Sequence, residues 1–131
     1  MVAAAVVPTF RSVPASEHVR MHRTLDKYIE RFMPFSAVLT ILGGAGLVYL
    51  HTETHLRTVL MAAVALTVTV SLISHLCNRP INLRMHTWNL DALPSDLVEI
   101  RERWARLHLL RTLVSVAALA LYAAAAVYAG V

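Results

Sequence analysis

The stretch NRPINLRMHTWNLDALPSDLVEIRERWARLHLLR, residues 78–111, lies between two apolar runs that are each long enough to cross a bilayer. It contains both tryptophans of the chain, two of its seven histidines and six of its eleven arginines. A helix that spans a bilayer needs about 20 predominantly apolar residues. The polar stretch is therefore predicted to lie at the mouth of a membrane bundle, and the apolar runs form its scaffold.

The composition favours a membrane protein over a soluble one. The 131 residues are 57% hydrophobic and 15% charged, whereas soluble domains are roughly 25% charged. A chain of this size fits one domain, 1–131, and lipid removes the need to bury its apolar surface. The net charge of +4 comes from basic residues beside the apolar runs, which favours membrane loops and argues against a nucleic-acid partner. The single cysteine, Cys77, excludes an intrachain disulfide.

Three apolar segments are predicted to cross the membrane as helices, at 33–50, 58–77 and 110–129. The run MVAAAVV at 1–7 is too short to span, so we expect it to be the end of a truncated first helix. The predicted fold is all-α. It is a transmembrane helical bundle of the four-helix type with a truncated first helix, plus an interfacial amphipathic helix near the N-terminus.

The amphipathic helix is predicted at 16–32, where apolar residues recur at helical spacing. Ser16 is its predicted N-cap, and Glu17 is favourably placed near the positive end of the helix. Pro34 is predicted to break or kink the chain where this helix meets the first span. Residues 51–57 are predicted to form a short loop between antiparallel spans.

The polar stretch itself divides into two parts. Residues 78–94 contain two prolines and no long periodicity, so they are predicted to form mostly a loop or a short helix. Residues 96–111 have helical periodicity and run without a breaker into the last span. Asp96 followed by Glu99 resembles a capping box at the start of that helix.

The distribution of basic residues predicts the orientation in the cell membrane. Residues 8–32 and 78–111 carry eleven Lys and Arg, whereas the opposite side carries only Arg57. Loops rich in Lys and Arg remain in the cytoplasm. The multi-pass chain is therefore expected to place the polar segment 78–109 in the cytoplasm and its C-terminus outward.

Polar side chains form a column on one face of the last helix. Arg101, Trp104, His108 and Arg111 are three or four residues apart, so they share that face. At membrane depth such groups either face the bundle interior, where they carry function, or extend to the headgroups. The long side chain of Arg111 allows both interpretations, and the shorter His108 favours the inward one.

Two further patterns have both a structural and a functional interpretation. Asn78 and Asn82 lie four apart across Pro80, so their carboxamides can satisfy carbonyls freed by the proline or bind a carbonyl or oxyanion of a substrate. The pairs His18/His22 and His51/His55 have a spacing that can hold a metal. Neither pair lies in an HExxH or a paired ExxH pattern, and histidines on a charged interfacial face are the alternative, so no metal ligand is assigned.

Several of these residues together resemble the anthrone oxygenase-like family of small membrane proteins. The family pattern is N-x-P-[IL]-N after one span and R-x-x-W-x-x-x-H-x-x-R leading into the last. The corresponding residues here are Asn78, Pro80, Ile81, Asn82, Arg101, Trp104, His108 and Arg111. ERFMP at 30–34 and VVPT at 6–9 also resemble the entry of that family's second helix and the end of its first. The resemblance covers nearly the whole chain and implies four transmembrane helices.

The resemblance implies oxidation of a phenolic, polyketide-like anthrone with molecular oxygen and no organic cofactor. The hydrophobic substrate would enter from the membrane lipid. The implied roles divide into catalytic residues (His108 as base, with Arg111 and Asn82 stabilising the anion) and substrate-binding residues (Asn78, Trp104 and Arg101).

A non-enzymatic hypothesis competes with the enzymatic one. The basic interfacial helix and the lack of a complete catalytic motif fit a small membrane scaffold or partner subunit that docks another protein. A second copy of the chain could also complete the bundle as a homo-oligomer. A metal or haem protein of the bilayer is a third reading.

Overall fold

The computed structural model describes residues 13–130, apart from the side chain of Glu30. This part of the chain is helical and contains no strand. Its elements are α1 (Ala15–Leu50), α2 (Thr54–Ile73), a π-helical turn (Ser74–Asn78), α3 (Arg79–His86) and α4 (Leu97–Ala129). The predicted all-α fold is confirmed.

Three helical segments are long and apolar enough to cross a membrane: Arg31–Leu50, Thr54–His86 and Leu97–Ala129. The three predicted spans fall within these segments. Few of their residues are buried inside the molecule, and large apolar side chains such as Phe35 and Leu113 are exposed. Lipid contact accounts for such exposure. The predicted partial helix at 1–7 lies outside the described residues.

The start of α1 differs from the prediction. Ser16 is not the N-cap, because the helix begins at Ala15 and Pro14 takes the capping position without a side-chain hydrogen bond. Pro14 has an extended ψ of 151°, and its carbonyl accepts the first helical bond from the His18 amide at 2.9 Å. Proline is well suited to this boundary because its φ is fixed and it has no N–H to leave unpaired.

Pro34 does not break the helix, because α1 runs through this residue as one helix of 36 residues; the alternative, a kink, stays a prediction. A proline inside a helix removes one backbone bond, whereas breaking the helix in apolar surroundings would leave several groups unpaired. Hydroxyl groups also add bonds in the same turns, from Ser36 to the Met33 carbonyl at 3.0 Å and from Thr40 to the Ser36 carbonyl at 2.8 Å. The amphipathic helix and the first span are therefore one element.

The loop after α1 is shorter than predicted. Residues 51–53 connect the two helices, and α2 begins at Thr54. Glu53 causes the early start, since its carboxylate accepts from the amides of His55 at 3.1 Å and Leu56 at 2.8 Å. A carboxylate at this position satisfies amides that have no partner within the helix.

The polar stretch forms α3, a turn region at 87–96 and the first part of α4, as predicted in outline. Asp96 is the N-cap of α4, but the predicted capping box is not formed. Its carboxylate instead accepts from Arg84 Nη2 at 2.8 Å, which ties the end of α3 to the start of α4. The last helix then continues without interruption into the third span and ends before Gly130, whose φ of 76° favours glycine.

Helix α2 packs against both α1 and α4. At the end of the bundle near the 51–53 loop, Leu56, Leu60 and Ala125 form a buried cluster with Tyr122 against it. We call this region the packed end. Gly44 of α1 belongs to it, because the place that a β-carbon would occupy lies against the Tyr122 hydroxyl and the Val64 side chain. The absence of a side chain thus lets the three helices approach closely.

Candidate functional site

A cavity of about 550 Å³ lies between α1, α2, the π-helical turn, α3 and α4. One part of its wall is apolar, and Ile29, Met33, Pro34, Ala37, Val70, Ala118 and Leu119 contribute to it. The other part is polar and includes Asp26, His75, Asn78, Arg79, Asn82 and Arg111. We call this polar region, with the side chains that contact it, the polar end. The volume lies in the range of small-molecule sites, about 300–1,000 Å³.

The π-helical turn delivers several polar side chains to the cavity. Its defining bond runs from the Arg79 amide to the Ser74 carbonyl, five residues back. Pro80 follows immediately and has no N–H, so the regular bond to the carbonyl four residues earlier is missing there. The widened turn places Ser74, His75 and Asn78 on the cavity wall. Such turns occur frequently at functional sites.

Arg111 brings a positive charge to the cavity wall without a matching negative one. Its Nη1 donates to Ser74 Oγ at 3.4 Å and its Nη2 donates to His108 Nδ1 at 3.1 Å. Both partners are neutral when the imidazole is unprotonated. Among the described side chains, no carboxylate forms an ion pair with Arg111. A partly buried cation without a counter-charge is unfavourable, so an anion in the cavity would be stabilised there.

His108 is buried next to Arg111 but does not line the cavity. Its ring stacks on Trp104, with 4.9 Å between ring centroids and 19° between planes. Because an arginine only donates hydrogen bonds, His108 Nδ1 must accept, and the neutral ring carries its proton on Nε2. His108 therefore positions the Arg111 guanidinium through this hydrogen bond, from outside the cavity wall.

Asn82 connects three helices through its carboxamide. Its Oδ1 accepts from Trp104 Nε1 at 3.2 Å and lies 3.1 Å from His22 Nε2, and its Nδ2 donates to Asp26 Oδ1 at 2.7 Å. The indole can only donate and the carboxylate can only accept, so these two partners fix the orientation of the amide. One N–H of the Asn82 amide is left available to the cavity.

Asp26, which was not predicted from the sequence as a site residue, supplies the carboxylate of the polar end. It lies on α1, is 9% exposed and lines the cavity. Each oxygen has its own partner, since Oδ1 accepts from Asn82 and Oδ2 lies 3.0 Å from His86 Nε2. A signal existed in the sequence, because His18, His22 and Asp26 are four apart and share one face of a helix.

His22, on the same face of α1, is held as a neutral donor. It packs edge-on against Trp104, with ring centroids 5.0 Å apart. Burial lowers the pKa of the His22 imidazole below its usual 6.5, against the opposing attraction of Asp26. Since Asn82 Oδ1 is an acceptor, His22 Nε2 carries the proton and donates to it.

Arg23 fixes the end of α3 against α1. Its Nε and Nη2 donate to the Met85 carbonyl at 3.0 and 2.8 Å, and Nη2 also donates to the Trp88 carbonyl. The carbonyl groups in the last turn of a helix have no partner within that helix. Arg23 satisfies one of them and thereby holds Asn82 and His86 near Asp26.

Asn78 is the polar wall residue with the least satisfied side chain. It is 3% exposed, and neither its Nδ2 nor its Oδ1 has a hydrogen-bond partner among the described residues. An unpaired buried amide costs about 1–3 kcal/mol for each group. A bound molecule with a carbonyl or hydroxyl group would remove that cost.

The six residues predicted from the sequence therefore fall into two sets. Asn78, Asn82 and Arg111 line the cavity. The other three lie outside its wall: His108 and Trp104 contact wall residues, and Arg101 is partly buried one turn before Trp104. The structure thus brings the two halves of the polar stretch together, as expected, and adds Asp26, His22 and His86 to them.

The histidine pairs do not assemble a larger metal-ligand group in residues 13–130, where no three His, Cys, Asp or Glu side chains are clustered suitably. The His18 and His22 rings stack with centroids 6.0 Å apart. His51 and His55 lie at the opposite end of the molecule, beside Glu53.

Comparison with known proteins identifies a family for this chain. The family model described as anthrone oxygenase matches residues 21–121, about three quarters of the chain. The matched range includes every residue discussed at the polar end except His18. No curated protein matches the chain, and no solved structure does. Because the family model covers Asp26 of α1 as well as the two polar motifs that follow, the chain belongs to the anthrone oxygenase family.

Proposed function

We propose that this protein is a membrane enzyme that oxidises an electron-rich phenolic substrate, of the anthrone type, with molecular oxygen. The observation that carries the proposal is that a carboxylate and a guanidinium line the same cavity without forming an ion pair with each other. Arg111 has no carboxylate partner among the described side chains, and Asp26 lines the same cavity. A base and an anion-stabilising group are what deprotonation of a ring CH₂ group conjugated with a carbonyl requires.

The proposed reaction converts a ring CH₂ group into a carbonyl. A base takes one proton from the CH₂ group, and the resulting anion spreads its charge onto the oxygen of the substrate. The anion adds O₂ and a proton to give a hydroperoxide, which loses water to give the quinone. One oxygen atom ends in the carbonyl and the other in water, and the substrate supplies all the electrons. The proposal therefore includes no organic cofactor and no metal.

Asp26 is better placed than His108 to act as the base. Asp26 lines the cavity, whereas His108 lies outside the wall and its Nδ1 already accepts a bond from Arg111. A base must come within hydrogen-bonding distance of the proton it removes. His108 acts instead by positioning Arg111, and Trp104 acts by positioning Asn82.

The anion is stabilised by three groups in this proposal. Arg111 supplies the charge, and the amides of Asn78 and Asn82 supply N–H donors that are not otherwise used. The apolar part of the wall accepts the ring system. Arg101 does not line the cavity, so its contribution to substrate binding would require contacts outside the wall.

The scaffold reading has less support. A scaffold requires polar side chains that are paired with one another, and Asn82, Trp104 and His22 meet that condition. Arg111 and Asn78 do not, because one lacks a counter-charge and the other lacks any hydrogen-bond partner among the described residues. A ligand in the cavity accounts for both.

The proposal is tested with purified protein in lipid nanodiscs and a dihydroxyanthrone as the probe. Oxygen uptake and the absorbance of the quinone are measured, and heat-denatured protein gives the background oxidation. Asp26→Asn and Arg111→Gln are each expected to lower turnover by about 10²-fold or more. Arg106→Gln is the matched control, since Arg106 is exposed on the same helix. Wild-type protein that does not exceed the background would contradict the proposal.

We also infer that the polar end faces the cytoplasm, because the basic residues are concentrated there. The test uses a Cys77→Ala background with a new cysteine at one of two exposed positions, Arg103 or Thr52. An impermeant maleimide applied to intact cells is expected to label Thr52→Cys. Arg103→Cys is expected to react only after permeabilisation, and the reverse pattern would overturn the orientation.

A further inference from the structure

A buried base must release the proton it takes before it can act again. Asp26 is 9% exposed, so water has little direct access to its carboxylate. A second group that reaches both Asp26 and the solvent would remove this obstacle.

His86 meets that description. Its Nε2 lies 3.0 Å from Asp26 Oδ2, and its side chain is 39% exposed at the end of α3. The hydrogen bond between Asp26 and His86 thus connects the cavity wall directly with the surface of the molecule. Arg23 holds the end of α3 in place by bonding the Met85 carbonyl next to His86.

We propose that His86 is the proton exit of the site and carries protons from Asp26 to the solvent. The inference rests on the proposed function, in which Asp26 is the base. The other residues of the network cannot take this role from Asp26. Among residues 13–130, its Oδ1 is hydrogen-bonded to the Asn82 amide alone, and an amide N–H group neither accepts a proton nor releases one at neutral pH.

Neither His22 nor His108 is an alternative exit, and His75, which also lines the cavity, is not hydrogen-bonded to Asp26 in the described part of the chain. His22 contacts Asn82 Oδ1, so an uncharged amide separates its ring from Asp26. His108 contacts Arg111 and Trp104 on the far side of the cavity wall. Among the described residues, His86 is the titratable group that is hydrogen-bonded to Asp26.

The proton balance is as follows. The substrate C–H bond breaks, and its proton binds the Asp26 carboxylate while the electron pair stays on the substrate. At rest the neutral His86 ring donates its Nε2–H to the Asp26 carboxylate. Once Asp26 is protonated, the exposed ring exchanges protons with water and moves its proton to Nδ1, so that Nε2 can accept the Asp26 proton and form an imidazolium beside a carboxylate. The imidazolium then releases its Nδ1 proton to water, which restores the resting Nε2–H tautomer, so one proton leaves for each one taken from the C–H bond.

A purely structural role predicts something different. If His86 only orients Asp26, any neutral side chain that donates one hydrogen bond in the same place can replace it. Glutamine does this, but its amide cannot carry a proton. His86→Gln therefore separates proton transfer from orientation, and His86→Ala leaves space for an external carrier.

The experiment measures dihydroxyanthrone oxidation in nanodiscs for the wild type, His86→Gln, His86→Ala and Asp26→Asn, with and without added imidazole. His55→Gln is the matched control, because His55 is exposed at the opposite end of the molecule. Both His86 variants are expected to lose at least tenfold in turnover. Imidazole is expected to restore His86→Ala in a saturable manner and to leave Asp26→Asn inactive.

Two results would overturn the proton exit while leaving the proposed function intact. One is His86→Gln with wild-type turnover when Asp26→Asn is inactive. The other is His86→Ala that stays slow at every imidazole concentration. If the wild type does not oxidise the anthrone, or if Asp26→Asn is as fast as the wild type, then the assignment of the base fails and the proton exit fails with it. Circular dichroism of each variant verifies that the helices are retained.

Discussion

The two ends of this bundle hold their helices together in different ways. At the polar end, directional bonds between Asp26, Asn82, His22 and Trp104 join α1, α3 and α4. At the packed end, Gly44 lets α1 approach α2 and α4, and Leu60 and Ala125 fill the core. Apolar packing tolerates small substitutions at many positions, whereas a hydrogen-bond network depends on each of its members. The difference predicts where the chain is most sensitive to substitution.

The largest loss of stability is expected for Asn82→Leu. The substitution leaves a carboxylate, an imidazole and an indole N–H without the partner they share. Each unsatisfied buried group costs about 1–3 kcal/mol, so several kcal/mol of unfolding free energy should be lost. Thermal unfolding in detergent measures it. Asn89→Ala is the control, because Asn89 is exposed in the turn region, and equal midpoints for the two variants would contradict the role of the network.

A smaller loss is expected for Gly44→Ala at the packed end. The new methyl group would overlap the Tyr122 hydroxyl and the Val64 side chain, and overpacking costs about 1–3 kcal/mol. Gly43→Ala is a matched control, since nothing lies within 4 Å of its β-carbon position. That variant should unfold at the same temperature as the wild type or above it, because alanine favours a helix. A Gly44→Ala protein as stable as Gly43→Ala would show that the close approach is unimportant.

The polar end should also make stability depend on pH through His22. Burial lowers its pKa in the folded state below the usual 6.5, so the unfolded chain takes up a proton first as the pH falls. Stability is therefore complete above about 6.5 and decreases as the pH drops toward the folded pKa. Chemical unfolding from pH 8 to pH 5, a range that includes the usual histidine pKa, measures the slope of the unfolding free energy against pH. His22→Gln should reduce the slope and His55→Gln should not, and an unchanged slope in His22→Gln would assign the effect elsewhere.

The smallest effect is expected for the ion pair between Arg84 and Asp96. The two atoms are 2.8 Å apart, but both side chains are substantially exposed. Exposed pairs contribute about 0–1 kcal/mol, so Arg84→Gln should change the unfolding midpoint little, and less in high salt. A loss as large as that of Gly44→Ala would mean that the junction of α3 and α4 carries more of the stability than its exposure indicates.

The sequence predicts local features of this molecule well. Helical spacing places Trp104, His108 and Arg111 in one column, and the structure has stacking and a hydrogen bond along that column. Apolar length predicts the three spanning segments. Both features depend on residues close together in the chain, where helix geometry alone decides which side chains meet.

Contacts between distant helices were beyond this kind of prediction. The bond between Asp26 and Asn82 joins residues 56 apart in the chain, and its existence depends on how α1 crosses α3. Helical spacing likewise does not show that His108, although it bonds Arg111 one turn away, lies outside the cavity wall. Pro34 illustrates a different limit, because a local rule for proline predicts a break that the apolar surroundings of the helix prevent.

The continuity of α1 through Pro34 has a mechanical consequence. A helix of 36 residues is about 54 Å long, whereas the hydrocarbon core of a bilayer is about 30 Å thick. The span Arg31–Leu50 fits the core, and the preceding turns, which carry His22 and Asp26, extend beyond it and are bonded to α3. We therefore expect a change in bilayer thickness that tilts the span to pull on the bonds that Arg23 and Asp26 make to α3.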